Sequence, residues 1–312
     1  MINKTYAGIP EEFSKLEQAK IVLIPVPYGE AKDSVKASKK GPEAFLRASE
    51  DITLYDIETD TEVYQQGVYL ADAVTEDSSA EAMVNAVHQS AKKYIKKNKF
   101  VTLVGGNHTI SIGAIRAFNE CFNSLTVLHV DAHANLLKTY KGSALHENCA
   151  LYEASQTTNL IQVGVRSMSA IEKTVIDEEK IYFANEMAVD DTWMDSAIDQ
   201  MTDNVYITFD LSAIDISIMT SVARPEPGGL FWYETLDFLS KLFKEKNIVG
   251  LDLVGLCPNE LNASSDFLMA RLYYKMLSYK FADENVDDDY DNSYEGINQK
   301  NNISKFDDDD EY

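Results

Sequence analysis

The sequence predicts an α/β domain with a mainly parallel sheet and helices on both faces. Three observations predict it. Short, almost wholly apolar runs recur along the chain, as strands buried on both faces require. Longer segments with apolar residues at helical spacing separate them. Several runs stop abruptly at Asp, His or Gly, at the sheet edge where open α/β folds hold their ligands.

The elements follow in order. Residues 1–19 read as a lead-in and residues 20–26 as the first strand, ended by Pro27 and Gly29. A Lys/Ser-rich loop runs to Lys40. Gly41 then opens a helix with Pro42 in its first turn, where a missing N–H costs nothing. Weak alternation over 50–78 predicts short strands near Thr53 and Val68. Residues 79–97 form a helix with Met83, Val84, Val87, Ala91 and Ile95 on one face and lysines at its end. Residues 100–104 are a strand closed by Gly105 and Gly106. Residues 108–121 are a helix with Ile110, Ile112, Ile115 and Phe118 turned inward. A strand at 125–130 and a short helix near 148–154 come next. Strand 160–165 is followed by helix, strand and helix around 169–177, 180–184 and 189–201. Strand 205–209 ends in Asp210, and a long loop carries Arg224, Pro225, Glu226, Pro227, Gly228 and Gly229. Helix 233–245, strand 248–254 and helix 263–281 complete the pattern. No repeat or internal linker interrupts it, so residues 1–282 are expected to be one domain.

Composition bounds the partners. The net charge of −23 argues against nucleic acid and anionic membranes. Residues 283–312 hold 12 Asp/Glu against 2 Lys and few aliphatics, and are expected to be a disordered, solvated acidic tail. Three widely spaced cysteines point to reduced thiols in the cytoplasm rather than a disulfide framework. No signal-peptide core and no membrane-length apolar run is present.

The chemistry gathers at strand ends. Asp131 and His133 lie two apart where a strand runs out, and in extended chain such residues point the same way. A carboxylate and an imidazole converging there suggest a metal site. His108, His146 and Asp210 arrive at the same rim from neighbouring segments. His129 lies inside its strand and reads instead as a hydrogen-bonded core histidine.

These residues carry a resemblance. Gly105, Gly106, Asn107 and His108 resemble the GGDH motif of the ureohydrolases, the arginase and agmatinase family. Asp131 to Asn135 resembles their DAHxD, and Thr208 to Ser212 their SFDxD. The loop from Asp210 to Leu230, with Gly41, Pro42 and the run Gln162 to Ser167, is similar to the agmatinase branch. The similarity spans about residues 20–280 in order. It implies a three-layer α/β/α domain that hydrolyses guanidinium groups with two bridged manganese ions, commonly as a trimer or hexamer. Two such cations lower the pKa of a shared water and orient the hydroxide.

The resemblance implies six ligands, two His and four Asp. His108, Asp131, His133 and Asp210 match; Asn135 and Ser212 stand where the family has Asp. Each metal would lose one anionic ligand, which weakens binding in a poorly solvated pocket. Asn107 replaces a third Asp beside the ligands. Gly255 stands where the family's Glu pairs with the guanidinium, and a glycine supplies no charge-assisted bond. His146 matches the family's proton-shuttling loop histidine. Glu226 reads as a residue that shapes its turn.

The altered residues point to an inactive or impaired member of the fold, acting as a binding, regulatory or assembly subunit, as a homo-oligomer or beside an active relative. Manganese binding is expected to be weak or absent. Two alternatives stay open. One is a single-metal amide or amidine hydrolase holding Zn2+ or Mn2+ on Asp131, His133 and Asp210. The other is an active two-manganese, agmatinase-like enzyme that takes a small guanidino or amine ligand and releases urea.

Overall fold

The computed structural model describes residues 5–29 and 38–282; the expected acidic tail and most of the Lys/Ser-rich loop lie outside them. Eight strands form one sheet: β1 (Ile21–Val26), β2 (Val68–Leu70), β3 (Phe100–Gly105), β4 (Leu125–Val130), β5 (Asn159–Val165), β6 (Ile181–Phe183), β7 (Asn204–Asp210) and β8 (Asn247–Val254). Their order is β2-β1-β3-β8-β7-β4-β5-β6. Every pairing between them is parallel. Parallel neighbours need crossovers, and the helices supply them.

Alternation along the strands builds a core on each face. In β1, Ile21 and Leu23 join one apolar cluster and Val22 and Ile24 the other. The first cluster is closed by α1 (Gly41–Ser49), α6 (Trp193–Asp199), α7 (Trp232–Glu245) and α8 (Ser264–Lys280). The second is closed by α2 (Ala80–Ile95), α3 (Ile110–Cys121) and α4 (Tyr152–Thr157). The result is the expected three-layer α/β/α architecture. Helix α2 is capped by Ser79, whose hydroxyl accepts from Ala82 N at 3.0 Å. A four-residue helix, α5 (Ala184–Met187), follows β6.

Three local expectations fail, each of them in a segment between strands. Near Thr53 there is no strand; the Asp56 carboxylate accepts from the amides of Glu58 and Thr59 and folds a turn instead. Residues 169–177 form only a 3-10 turn, Glu172–Thr174. The Glu172 carboxylate there accepts from Ser169 N and Leu136 N, tying the segment to the strand-end loop. The helix expected over 189–201 is confined to α6, which begins at Trp193; just before it, the Asp190 carboxylate accepts from Thr192 N at 2.8 Å and holds a turn.

Topology then places the site. Strands β3, β8, β7 and β4 are neighbours in the centre of the sheet, although the chain visits them far apart. The order reverses there, between β3 and β4. A ligand crevice belongs outside the carboxyl ends of strands at such a point.

Candidate functional site

Each central strand delivers one residue of the site at its carboxyl end. β3 runs into Gly106, where an added Cβ would sit 1.9 Å from Tyr28 O, so only glycine lets the turn tuck beneath the first strand's loop. That turn presents His108, which precedes α3 rather than lying in it. β4 presents Asp131, β7 ends in Asp210, and β8 leads to Gly255.

Asp131 is the hub. It is fully buried, and side chains of this chain engage both oxygens. Oδ1 accepts from the His133 amide at 2.9 Å and the Ser212 hydroxyl at 2.7 Å, and lies 3.1 Å from His133 Nδ1. Oδ2 accepts from the Asn135 amide at 2.6 Å and meets His129 Nε2 at 3.0 Å and His108 Nδ1 at 3.1 Å. Burial pushes the Asp131 carboxyl up, but His108, His129 and His133 outweigh it and hold it well below the usual range.

The tautomers follow from the surrounding donors. The Thr208 hydroxyl donates to Asp252 Oδ1 at 2.7 Å, so His108 Nε2, 2.9 Å away, must donate to Thr208. That leaves His108 Nδ1 facing Asp131 and, at 3.4 Å, Asp210. Burial lowers the affinity of His108 for a proton, yet the carboxylates of Asp131 and Asp210 outweigh it and raise its pKa to about 10. His129 is the opposite case. The Gln162 side-chain amide donates to its Nδ1 at 2.8 Å and to Ala134 O at 2.9 Å, so His129 Nε2 carries the hydrogen given to Asp131. Burial pushes its pKa down, which keeps it neutral. The expected core histidine is thus in place, but its bonded face looks into the site.

Six of the sequence-predicted residues converge here: His108, Asp131, His133, Asp210, Asn135 and Ser212. Asn135 adopts a left-handed backbone, φ 53°, which Asn tolerates. Its amide orientation is fixed from both sides, because Oδ1 accepts from Arg224 at 3.1 Å while Nδ2 faces Asp131. Arg224 also donates to Asn148 Oδ1 at 2.9 Å and lies 3.8 Å from Glu147. Burial raises the Glu147 carboxyl, with Arg224 opposing. The His146 Nδ1 accepts from Asn148 N at 3.1 Å, and its ring packs on Tyr140 with centroids 4.4 Å apart.

Gly255 has φ 92°, and an added Cβ would stand 2.5 Å from Asp210 Oδ1. Glu226 keeps its turn through its carbonyl, which accepts from Arg166 at 2.7 Å, while its carboxylate lies 3.9 Å from His133 Nε2. Arg166 also binds the carbonyls of Ser212 and Pro227. The Ser217 hydroxyl, with the amides of Ser217, Gly228 and Gly229, holds the Asp215 carboxyl down at about 2. Arg166 and Asp215 thus hold the long loop in place beside the centre. Arg224, Thr208 and Gln162 have no site role in the sequence reading. Arg224 had one signal, a lone cation in an otherwise uncharged stretch from Ile216 to Pro225.

What could this donor set hold? His108, His129 and Asp131 form a buried cluster whose ligand-type atoms lie within 4.8 Å of one another. Against a pair of divalent ions the wider set fits poorly. Asn135 turns its N–H inward and its only ligand oxygen toward Arg224. His129 presents a hydrogen rather than a lone pair. Arg224 reaches Asn135 at 3.1 Å and so places a fixed positive charge beside the set. Beside Asp210 the space is about 10 Å³, bounded by His133, Ser212, Arg224 and Gly255 among others. Small-molecule sites are typically about 300–1,000 Å³.

Comparison with known proteins gives consistent results. The family model described as "Arginase family" matches residues 19–278. An N(1)-aminopropylagmatine ureohydrolase of Synechocystis sp. is 33% identical over 294 residues, covering 89% of this chain and 96% of that protein. A protein of the same name from Thermus thermophilus is 29% identical, covering 86% and 93%. Among solved structures, the agmatine ureohydrolase of Thermoplasma volcanium superposes with a TM-score of 0.81 at 22% identity, covering 92% of this chain and 97% of that one, a likeness of fold.

Proposed function

The chain belongs to the arginase family, and from that premise we propose that it is a member whose two-metal centre has been replaced by direct side-chain hydrogen bonds. On this reading it works as a binding, regulatory or assembly subunit rather than as a guanidino-group hydrolase. The observation that carries the reading is the pair of bonds from Asn135 and Ser212 to the two oxygens of Asp131. Carboxylates at 135 and 212 would repel Asp131 and require cations between them. An amide and a hydroxyl donate to it and remove that requirement. Gly255 supports the same reading from the substrate side, since a glycine there offers no carboxylate to a guanidinium. Its partners would be further copies of itself or an active relative, with a small guanidino or amine compound as ligand.

The test is metal content and turnover together. After loading with manganese or zinc and desalting, elemental analysis is expected to find far less than one ion per chain. No urea should be released from agmatine, arginine or N(1)-aminopropylagmatine, the compound named for the relatives. Two manganese ions per chain with urea release would overturn the proposal. One tightly held zinc with amide hydrolysis would establish the single-metal alternative on Asp131, His133 and Asp210.

A further inference from the structure

The amino-terminal edge of the sheet, at the other end of the strands from Asp131, carries a row of lysines. Lys20, Lys99 and Lys246 each stand immediately before a strand, β1, β3 and β8 in turn. Those strands are neighbours in the sheet, so the three residues span about 10 Å, two strand spacings. Ile21 is in register with Phe100, which sets Lys20 beside Lys99. Lys99 Nζ donates to Ala19 O at 2.6 Å and Lys246 Nζ to Met201 O at 2.9 Å. Neutral carbonyls rather than carboxylates hold these two ammoniums. Lys96 and Lys97 extend the row from the turn before β3; both are exposed, and neither makes an ion pair among the described residues. The segments leading into the three strands, residues 15–20, 96–99 and 244–247, hold seven lysines against two acids, Glu17 and Glu245. Asp203, before β7, adds one more acid. The chain as a whole has the opposite balance, 28 Lys and Arg against 51 Asp and Glu.

The most acidic stretch of the chain starts at this same edge. Helix α8 ends at Lys280, whose Nζ donates to Asn247 Oδ1 at 3.3 Å and lies 5.6 Å from the centre of the Phe100 ring. Phe281 packs edge-on against Phe100, with centroids 5.8 Å apart. Phe100 and Asn247 are the first residues of β3 and β8, so the helix delivers the chain to the lysine row. Asp283 follows two residues later. From Asp283 to Asp291 six of nine residues are Asp or Glu, and none is Lys or Arg. Nine residues reach up to about 30 Å, well beyond the width of the row. Residues 1–282 are acidic in sum, so their field repels this run except where the sign reverses locally. A tethered segment also meets its site at an effective concentration on the order of millimolar, an advantage no free anion shares.

We propose that the first acidic run of the tail, residues 283–291, folds back on the lysine row of its own chain. Several surface ion pairs, each weak alone, act together there. The contact neutralises a basic face on an acidic protein, in place of the fully solvated tail that composition implies. It lies away from the Asp131 network and does not depend on its metal content.

Zero-length carbodiimide coupling of the full chain reads this directly, because it joins a carboxylate to an amine only where the two touch. Denaturing electrophoresis separates chains linked within themselves from linked pairs, and mass spectrometry of the monomer band locates the joined residues. The expected links run from residues 283–291 to Lys20, Lys96, Lys97 and Lys99. They should exceed links to Lys138 and Lys173, exposed lysines elsewhere, by about tenfold or more. Sodium chloride at about 0.5 M should remove most of them. Lys96→Glu with Lys97→Glu, at exposed positions, should cut the links to Lys20 and Lys99 several-fold. Asp287→Asn, Asp288→Asn and Asp289→Asn together should do the same to links from the remaining acids. Even coupling across all lysines would overturn the proposal. So would yields unmoved by both sets of changes, or links found only in paired chains, which would assign the row to the tail of a second copy.

Discussion

Asp131 and Asp252 are both fully buried carboxylates joined by one short relay, yet they are held in opposite ways. Asp252 is met by the hydroxyls of Ser111, Thr208 and Tyr206, all neutral donors. Burial dominates there and raises its carboxyl, with only His108 at a distance and the hydroxyls opposing. Asp131 is met by three imidazoles as well as an amide and a hydroxyl, and burial loses. The difference is one of partners, not of depth. Imidazoles, an amide and a hydroxyl surround the one carboxylate, and hydroxyls alone surround the other.

The largest way to break this contrast is Asp131→Ala. It strips the partner from His108, His129, Asn135 and Ser212 at once, and the expected loss is about 3–5 kcal/mol in urea denaturation. A loss under about 1 kcal/mol would mean the network is ornamental rather than stabilising.

The double change Asn135→Asp with Ser212→Asp sharpens the contrast from the other side. Two new carboxylates would face Asp131, with an expected cost of about 3 kcal/mol without added metal. Manganese should then recover stability, by about 2.7 kcal/mol at a hundredfold excess over its dissociation constant. Thermal melts with and without manganese read this out; the unaltered chain should show little shift.

A third effect is pH dependence in chelator-treated protein. His108 is raised to about 10, above its unfolded value of about 6.5. Its contribution is therefore full below the unfolded value and is lost as pH rises toward and through about 10. Asp131 is depressed, so its contribution is present above the unfolded carboxylate value and is lost as pH falls through its folded one. Urea midpoints across pH should fall at both ends, and His108→Gln should flatten the alkaline limb.

The smallest effect belongs to Asp252→Asn. With neutral hydroxyl partners able to rotate, the amide should cost about 1 kcal/mol or less. A loss as large as that of Asp131→Ala would erase the distinction between the two carboxylates.

Much of this fold is legible in the residues themselves. Strands buried on both faces announce themselves as apolar runs, and the motifs mark the loops that end them. Asn135 and Ser212 stand out because they sit in otherwise recognisable patterns, and the structure brings both side chains to Asp131. What could not be read is which way each group turns. The hydrogen on His129 is set by Gln162, from a neighbouring strand, and that on His108 by Thr208 and Asp252. The Asn135 amide is oriented by Arg224, from a loop far along the chain. Such choices are made by tertiary neighbours, and local pattern carries no trace of them. The missing strand near Thr53 and the short turn at Glu172–Thr174 have a similar cause, a single carboxylate capturing nearby amides.

Gly255 has a consequence for anyone who would reverse the chemistry. The obvious repair is a glutamate at that position, the residue that the resemblance implies for a guanidinium-binding member. Yet the backbone there is left-handed, and the first carbon of any side chain would collide with Asp210. The steps therefore have an order. The loop after β8 must be rebuilt before the glutamate is introduced, and a single-residue reversion should be the least productive variant of a rescue series.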